Sequence, residues 1–181
     1  MTQGTFWASH AAEPKRSFLW TMRIGGIPVW TVKMADKPKF VTTKATHQFM
    51  NHEFKFPGRV QWQDVSITLV DPIAPDMAAS IMERYLSSGY VFPDEVFANG
   101  IENFTALSKN RSVLALGRVA FQQYGPDNNI IEEWRLRNAW MSDVDFGKGD
   151  YTTEDLTQIE MKIVYDWALQ TIKGPICPPR S

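Results

Sequence analysis

Apolar and polar side chains alternate along most of this chain, which is the pattern of β-strands that bury one face. A strand over 17–24 precedes Gly25 and Gly26, two residues that tolerate the positive φ of a tight hairpin turn. A second strand follows over 28–34, and the same alternation recurs in 47–56, 60–70, 113–123, 130–141 and 159–167. The sequence therefore predicts an antiparallel β protein.

Two of these strands carry local irregularities. Pro57 and Gly58 predict a turn after the strand over 47–56. In the strand over 60–70, Trp62 is out of register with the apolar set that begins at Val65, so we expect a bulge near Gln63.

One helix is predicted between Pro75 and Gly89, because apolar residues recur there at spacings of three and four. The segment 94–110 fits either a loop or a short helix, and 143–154 is a polar connection.

A polar arm interrupts the strands over 35–46, with the sequence ADKPKFVTTKAT. It contains three lysines and one proline, and Phe40 and Val41 are its only large apolar residues. This composition predicts a long exposed loop or hairpin tip between two strands.

Length and charge limit the number of domains and the classes of binding partner. A chain of 181 residues suits one domain. Because 19 basic side chains are balanced by 20 acidic ones, we do not expect non-specific electrostatic binding to nucleic acid or membranes. One cysteine, Cys177, cannot form an intrachain disulfide. We find no apolar run typical of a signal peptide or spanning helix, and we expect a soluble protein made in a cytosol.

Candidate chemistry is sparse. His47 and His52 would point to opposite faces of one strand, so we expect no metal site and no cofactor. Glu132 and Glu133 are expected to be solvated charges beside a turn. No phosphate loop, dinucleotide fingerprint or nucleophile elbow is present, so we do not expect an enzyme.

Aromatic residues are abundant and suggest assembly. Five tryptophans fall in apolar register and are expected in a core or subunit interface: Trp20, Trp30, Trp134, Trp140 and Trp167. One barrel of this length cannot easily enclose them all, and surplus apolar surface is typical of subunit contacts. Neighbouring copies would also protect edge strands.

The order of these features resembles the tail tube proteins of contractile-tailed bacteriophages, over about residues 17–169. The resemblance is carried by the arm followed by Phe49-Met50-Asn51, Phe56-Pro57-Gly58-Arg59, Trp62-Gln63-Asp64 and the strand 65–70, and by Asn138-Ala139-Trp140, the acidic loop to Asp155 and the strand 159–167.

The resemblance implies a mainly β fold, an antiparallel barrel or sandwich with one flanking α-helix. The domain would span 17–169, between an N-terminal extension over 1–16 and a tail over 170–181. Hexameric rings would stack into a tube through which double-stranded DNA passes. The expected protein partners are other copies, tail sheath, baseplate and tail terminator proteins. The protein would belong to the virion, assemble in the host cytoplasm and contact no membrane.

By the same resemblance, the arm would contact the neighbouring ring through Ala35, Asp36, Lys37, Pro38, Lys39, Phe40, Thr42, Thr43 and Lys44. The candidate lumen-facing residues are Asn51, Glu53 and Lys55.

Two alternatives stay open. The extensions at both ends and the long segment 94–110 would also suit a tube initiator near the baseplate, and type VI secretion tubes and tail-like particles share the expected fold. A monomeric β-sandwich that binds carbohydrate or peptide through its aromatic residues belongs to a different functional class.

Overall fold

The computed structural model describes residues 14–95, 105–152 and 154–172. Two helices lie wholly within them, α1 (Met77–Ser87) and α2 (Lys109–Leu116). The strands of the described residues are β1 (Trp20–Ile24), β2 (Val32–Ala35), β3 (Lys39–Phe49), β4 (His52–Gln63), β5 (Val65–Val70), β6 (Val119–Tyr124), β7 (Ile130–Arg137), β8 (Trp140–Asp145), β9 (Gln158–Val164) and β10 (Trp167–Ile172).

Eight strands form two antiparallel four-stranded sheets. The first sheet has the order β1-β6-β7-β10 and the second has the order β2-β5-β9-β8. Their inner faces share one hydrophobic core, with Met22 and Phe121 from the first sheet and Ile67 and Met161 from the second. The mainly β, antiparallel expectation is confirmed, whereas the described strands do not close into a barrel.

The helices complete the core at one side. Asp76 caps α1 by accepting a hydrogen bond from the Ala79 amide at 2.8 Å, and Ile81 of α1 is fully buried. The predicted helix between Pro75 and Gly89 is therefore confirmed, but α2 means that a single flanking helix is wrong.

The helix α2 also corrects the strand predicted over 113–123. Ser108 accepts a hydrogen bond from the Arg111 amide, and Gly117 at φ 73° ends the helix. Because Val113 and Leu116 are spaced by three, they suit a helix as well as the buried strand that was expected. The strand itself begins at Val119. Of the undecided segment 94–110, residues 96–104 lie outside the described residues.

Two predicted strands are each divided between the sheets. Residues 130–141 leave the first sheet at Asn138, which has a φ of 54°, and continue as β8 in the second. Residues 159–167 change sheet at Asp166. The two corners are joined, since the Asn138 amide donates to the Asp166 carboxylate at 2.6 Å and the Asp166 amide donates to the Arg137 carbonyl at 3.0 Å.

The structure also differs from expectation in residues 28–34 and near the C-terminus. The predicted strand over 28–34 begins as a short 3₁₀ turn, Val29–Thr31, which leaves Trp30 65% exposed instead of buried. The strand β10 extends to Ile172, so the first residues of the expected tail, 170–172, belong to the first sheet. The N-terminal residues 1–13 and the remaining tail, 173–181, lie outside the described residues.

Candidate assembly surface

The arm is a long two-stranded hairpin formed by β3 and β4, which pair from Lys39 with Gln63 to Phe49 with His52. We use the word arm below for residues 39–63. The expected strand over 47–56 is wrong, because the chain reverses at Met50 and Asn51, with Met50 at a φ of 53°. The segment over 35–46, predicted as an exposed loop or hairpin tip, is part of an exposed hairpin, but from Lys39 onwards it forms a strand and not the tip.

The predicted contact residues fall into three groups. Ala35 ends β2, and Asp36, Lys37 and Pro38 connect the second sheet to the arm. The others lie in β3: Lys39, Phe40, Thr42, Thr43 and Lys44. Of the lumen candidates, Asn51 is in the turn, and Glu53 and Lys55 are in β4.

Pro57 and Gly58 form a bulge within β4 instead of the predicted turn. The pairing shifts between Thr42 and Lys44, where the Arg59 amide donates to the Thr43 hydroxyl at 2.9 Å. A Cβ atom on Gly58 would approach the Thr43 carbonyl oxygen to 2.9 Å, so this close approach requires glycine.

The outer half of the arm has two chemically different faces, because successive strand pairs point to opposite sides. One face pairs Phe49 with His52, His47 with Phe54 and Ala45 with Phe56. We call this the aromatic face. The other, the polar face, carries Lys44, Thr46, Gln48, Glu53 and Lys55.

The aromatic face is uncovered. Phe49, Phe54 and Phe56 are 56%, 50% and 55% exposed. An isolated two-stranded hairpin is marginally stable in water, and exposed aromatic groups of this kind typically belong to protein interfaces. The arm is therefore the part of the described chain that most needs a partner.

Aromatic side chains fix the base of the arm to the core. The Phe40 and Trp62 rings meet edge to face at 5.2 Å, and Trp62 lies 5.9 Å from the Tyr165 ring. Burial raises the pKa of Tyr165. Trp62 therefore packs on the core although its sequence register is irregular. The bulge expected near Gln63 is instead a break between two strands, since β4 ends at Gln63 and β5 begins at Val65.

A buried carboxylate holds the segment that leads into the arm. Glu132 accepts hydrogen bonds from Lys15, Trp134 and Lys37, the last at 3.3 Å. Burial alone would raise the pKa of Glu132, but these hydrogen bonds and the lysine charges lower it to about 2. Lys37 also lies 5.2 Å from the centre of the Phe121 ring.

Glu132 and its neighbour Glu133 correct the prediction of solvated charges, since they are only 6% and 4% exposed. The basic partners of Glu132, Lys15 and Lys37, are distant in sequence, so no local pattern could have identified them, whereas Glu133 pairs with the nearby Arg135. The ion pair between Lys37 and Glu132 connects the segment that leads into the arm to β7.

Each four-stranded sheet ends in two edge strands, β1 and β10 in the first sheet and β2 and β8 in the second. Edge strands present unpaired backbone groups that can pair with another chain. The arm lies between β2 and β5 in the chain and forms a two-stranded sheet of its own beside the second sheet.

Besides the arm, the described residues form a groove large enough for a ligand. It has a volume of about 570 Å³ between α1, α2 and β8, and its lining includes Tyr85, Leu107, Ser112 and Trp140. The residues that the structure describes contain no group of three or more histidines, cysteines or acids that could hold a metal ion. Within the same residues, no helix is long and apolar enough to cross a membrane.

No protein-family model and no curated protein matches the sequence. Solved structures do match the fold. The chain is similar to the tube-terminating cap of the anti-feeding prophage, with a TM-score of 0.62 and 10% identity over 88% of this chain and 91% of that one. It is also similar to a chain of the PVC sheath-tube complex, an extracellular contractile injection system, with a TM-score of 0.59 and 12% identity over 90% and 95%.

A third match is the PVC sheath/tube terminator, with a TM-score of 0.57 and 12% identity over 87% of this chain and 96% of that one. The chain therefore has the fold found in tube, cap and terminator assemblies of contractile injection systems, and the resemblance seen in the sequence is confirmed at the level of the fold.

Proposed function

We propose that this chain is a structural subunit of the tube of a contractile particle. Copies assemble into hexameric rings, the rings stack, and the arm of each copy packs on a neighbour. The exposed aromatic face of the arm carries this proposal, because its three phenylalanines have no partner within the described chain that covers them. The shared fold supports it independently.

The open strands supply a second kind of contact. Strands β2 and β8 end the second sheet on its two sides, so copies placed side by side could continue the sheet from one subunit to the next. A closed ring of such sheets leaves no free edge, which is how barrels avoid uncontrolled edge pairing.

The outward face of the second sheet suits the wall of a DNA channel. Its register places Asp143 opposite Lys162 and Asp145 opposite Glu160, on the side away from the core. Acidic groups outnumber basic ones there, and a wall of that charge would repel DNA phosphates and keep the cargo mobile. The polar face of the arm, with Glu53 and Lys55, and Asn51 in its turn would also face the lumen.

The proposed partners come from the resemblance of the sequence to tail tube proteins. Sheath, baseplate and tail terminator proteins would contact the tube, which belongs to a virion assembled in the host cytoplasm, and double-stranded DNA would pass through it. No membrane contact is proposed.

A second candidate is a ring at one end of the tube. The similarity to the anti-feeding prophage cap favours it, as does the similarity to the PVC terminator. A ring at the baseplate end is the corresponding initiator. Such a protein would form single rings that do not stack on themselves.

Shortening the arm tests the proposal. Replacing residues 44–57 with Asn-Gly removes the outer hairpin while leaving the contact of Phe40 with Trp62 in place. Electron microscopy of the parent chain should show rings or tubes, and the shortened chain should stay folded without forming them. A matched control removes 148–151 from the exposed connection between β8 and β9.

The outcomes of these experiments distinguish the alternatives. Tubes support a major tube subunit, and single rings support an end ring. A parent chain that stays monomeric, or a shortened chain that assembles normally, contradicts the proposal. A monomer that binds a glycan or peptide would identify a ligand-binding β domain instead.

A further inference from the structure

The outward face of the first sheet carries a cluster of arginines. The strand register places Arg23 and Arg135 in one row across the sheet, on either side of Ala120, and it pairs Arg137 with Trp167. Arg118 reaches the same face, since its guanidinium lies 3.3 Å from the Glu133 carboxylate. Four arginines and one glutamate therefore share this surface, although the whole chain has a net charge of −1.

Glu133 shows how this face binds a carboxylate. It accepts hydrogen bonds from Arg135, from the Gln122 amide at 2.7 Å and from the Thr171 hydroxyl at 3.1 Å. Burial would raise the pKa of Glu133, but these donors lower it to about 2. The central carboxylate is thus ionised and fixed, and it holds Arg118 and Arg135 in position.

Two of the arginines have further capacity. Arg23 and Arg137 are exposed, and neither guanidinium has an acidic partner among the residues that the structure describes. A guanidinium binds a carboxylate or phosphate through two parallel hydrogen bonds. The face can therefore bind at least two more anionic groups.

The same surface has an apolar component. Trp167 and Leu169 are 47% and 44% exposed, and they lie beside Arg137 and Arg135 in the strand register. Arginine and tryptophan together are typical of the central residues of protein interfaces. The backbone of a DNA duplex offers phosphates but no apolar group for Trp167 to cover, so the combination favours a polypeptide.

We propose that the outward face of the first sheet is a docking site for an acidic polypeptide segment that also carries apolar side chains. The carboxylates of the segment would pair with Arg23 and Arg137, and an apolar side chain would cover Trp167. This surface lies across the core from the second sheet, so in the proposed tube it faces away from the lumen. The inference itself needs only the folded monomer.

Peptide binding to the full-length chain tests the inference. The probe is a short fluorescein-labelled peptide that alternates glutamate with leucine, and anisotropy reports its binding. The double variant Arg23→Gln and Arg137→Gln should bind about tenfold more weakly or worse, because it loses two charge-assisted contacts. Trp167→Ala should also weaken binding. Arg59→Gln is the matched control, since it removes an exposed arginine from the arm, and it should bind like the parent.

The other occupants give distinct results. A DNA duplex that binds more tightly than the peptide, with no effect of Trp167→Ala, would overturn the proposal in favour of a phosphate surface. Equal peptide binding by the parent and the double variant would overturn the proposal. It would also be overturned if the parent did not bind the peptide and the double variant lost self-assembly. Failure of the peptide to bind, with rings still formed by the parent, would reject this inference and leave the proposed function intact.

Discussion

Replacing the three phenylalanines of the aromatic face should abolish assembly without unfolding the monomer. The variant carries Phe49→Ser, Phe54→Ser and Phe56→Ser. Each ring is about half exposed, and none belongs to the buried core. The monomer loses little packing, whereas an assembled interface loses its apolar centre.

The size of the effect follows from the exposed area. A phenylalanine can bury roughly 200 Å², so half-exposed rings present about 100 Å² each and about 300 Å² together. At about 25 cal/mol per Å², covering that area contributes at most about 7.5 kcal/mol per arm. Even one third of this would weaken each contact by well over tenfold.

Sedimentation velocity measures assembly, and thermal unfolding followed by circular dichroism measures the fold. We expect the variant to sediment as a monomer with nearly the melting temperature of the parent monomer. The control variant changes Thr46, Gln48 and Lys55 to serine on the polar face. Normal assembly by the phenylalanine variant, or equal loss of assembly in the control, would refute the assignment of the aromatic face.

Three further predictions concern the body of the protein. The pKa values of Glu132 and Glu133 are about 2 in the folded state, against a reference value of 4.5, so unfolding at low pH takes up protons. The two carboxylates should therefore add about 3 kcal/mol each to the free energy of unfolding above about pH 5, and this contribution should fall towards pH 2. Urea titrations at a series of pH values measure it, and Glu132→Gln should show a weaker dependence on pH. Ile163→Ala should cost about 3 to 4 kcal/mol of unfolding free energy in the same assay, because Ile163 is fully buried. Trp167→Ala would cost about 3 to 5 kcal/mol in a core, but at 47% exposure we expect about 1 to 2 kcal/mol; a larger loss would place Trp167 in the core.

The sequence indicates which segments form strands better than it indicates where each strand ends and the chain changes sheet. Alternation correctly identified β9 as a strand, but it continues unbroken through Tyr165 and Asp166, where the chain changes sheet, and it missed all of β10 except Trp167. The positive φ of Asn138 at the other corner is equally invisible to a pattern of apolar and polar residues.

The arm shows why local turn signals failed. Pro57 and Gly58 are a stronger turn signal than Met50 and Asn51, yet the hairpin turns at the latter pair. The pairing of β3 with β4 along the whole arm outweighs the local preference, and the bulge at Gly58 absorbs the turn residues within a strand. The aromatic face could only be recognised once the true turn had set the register.

The burial of Glu132 depends on contacts that are distant in the chain, whereas Glu133 has one basic partner close in sequence, Arg135. Lys15 and Lys37 reach Glu132 across more than ninety residues. Adjacent strand residues do point to opposite faces, as expected, and this separation lets each carboxylate meet its own set of basic partners. What the strand pattern alone could not supply was the position of those partners.

Electron microscopy of the purified 181-residue chain shows whether copies assemble through their arms. We expect closed rings, alone or stacked, in which density for each arm lies against a neighbouring copy and covers Phe54. A chain that remains monomeric at high concentration, with its arm packed back on its own sheets, would contradict this expectation.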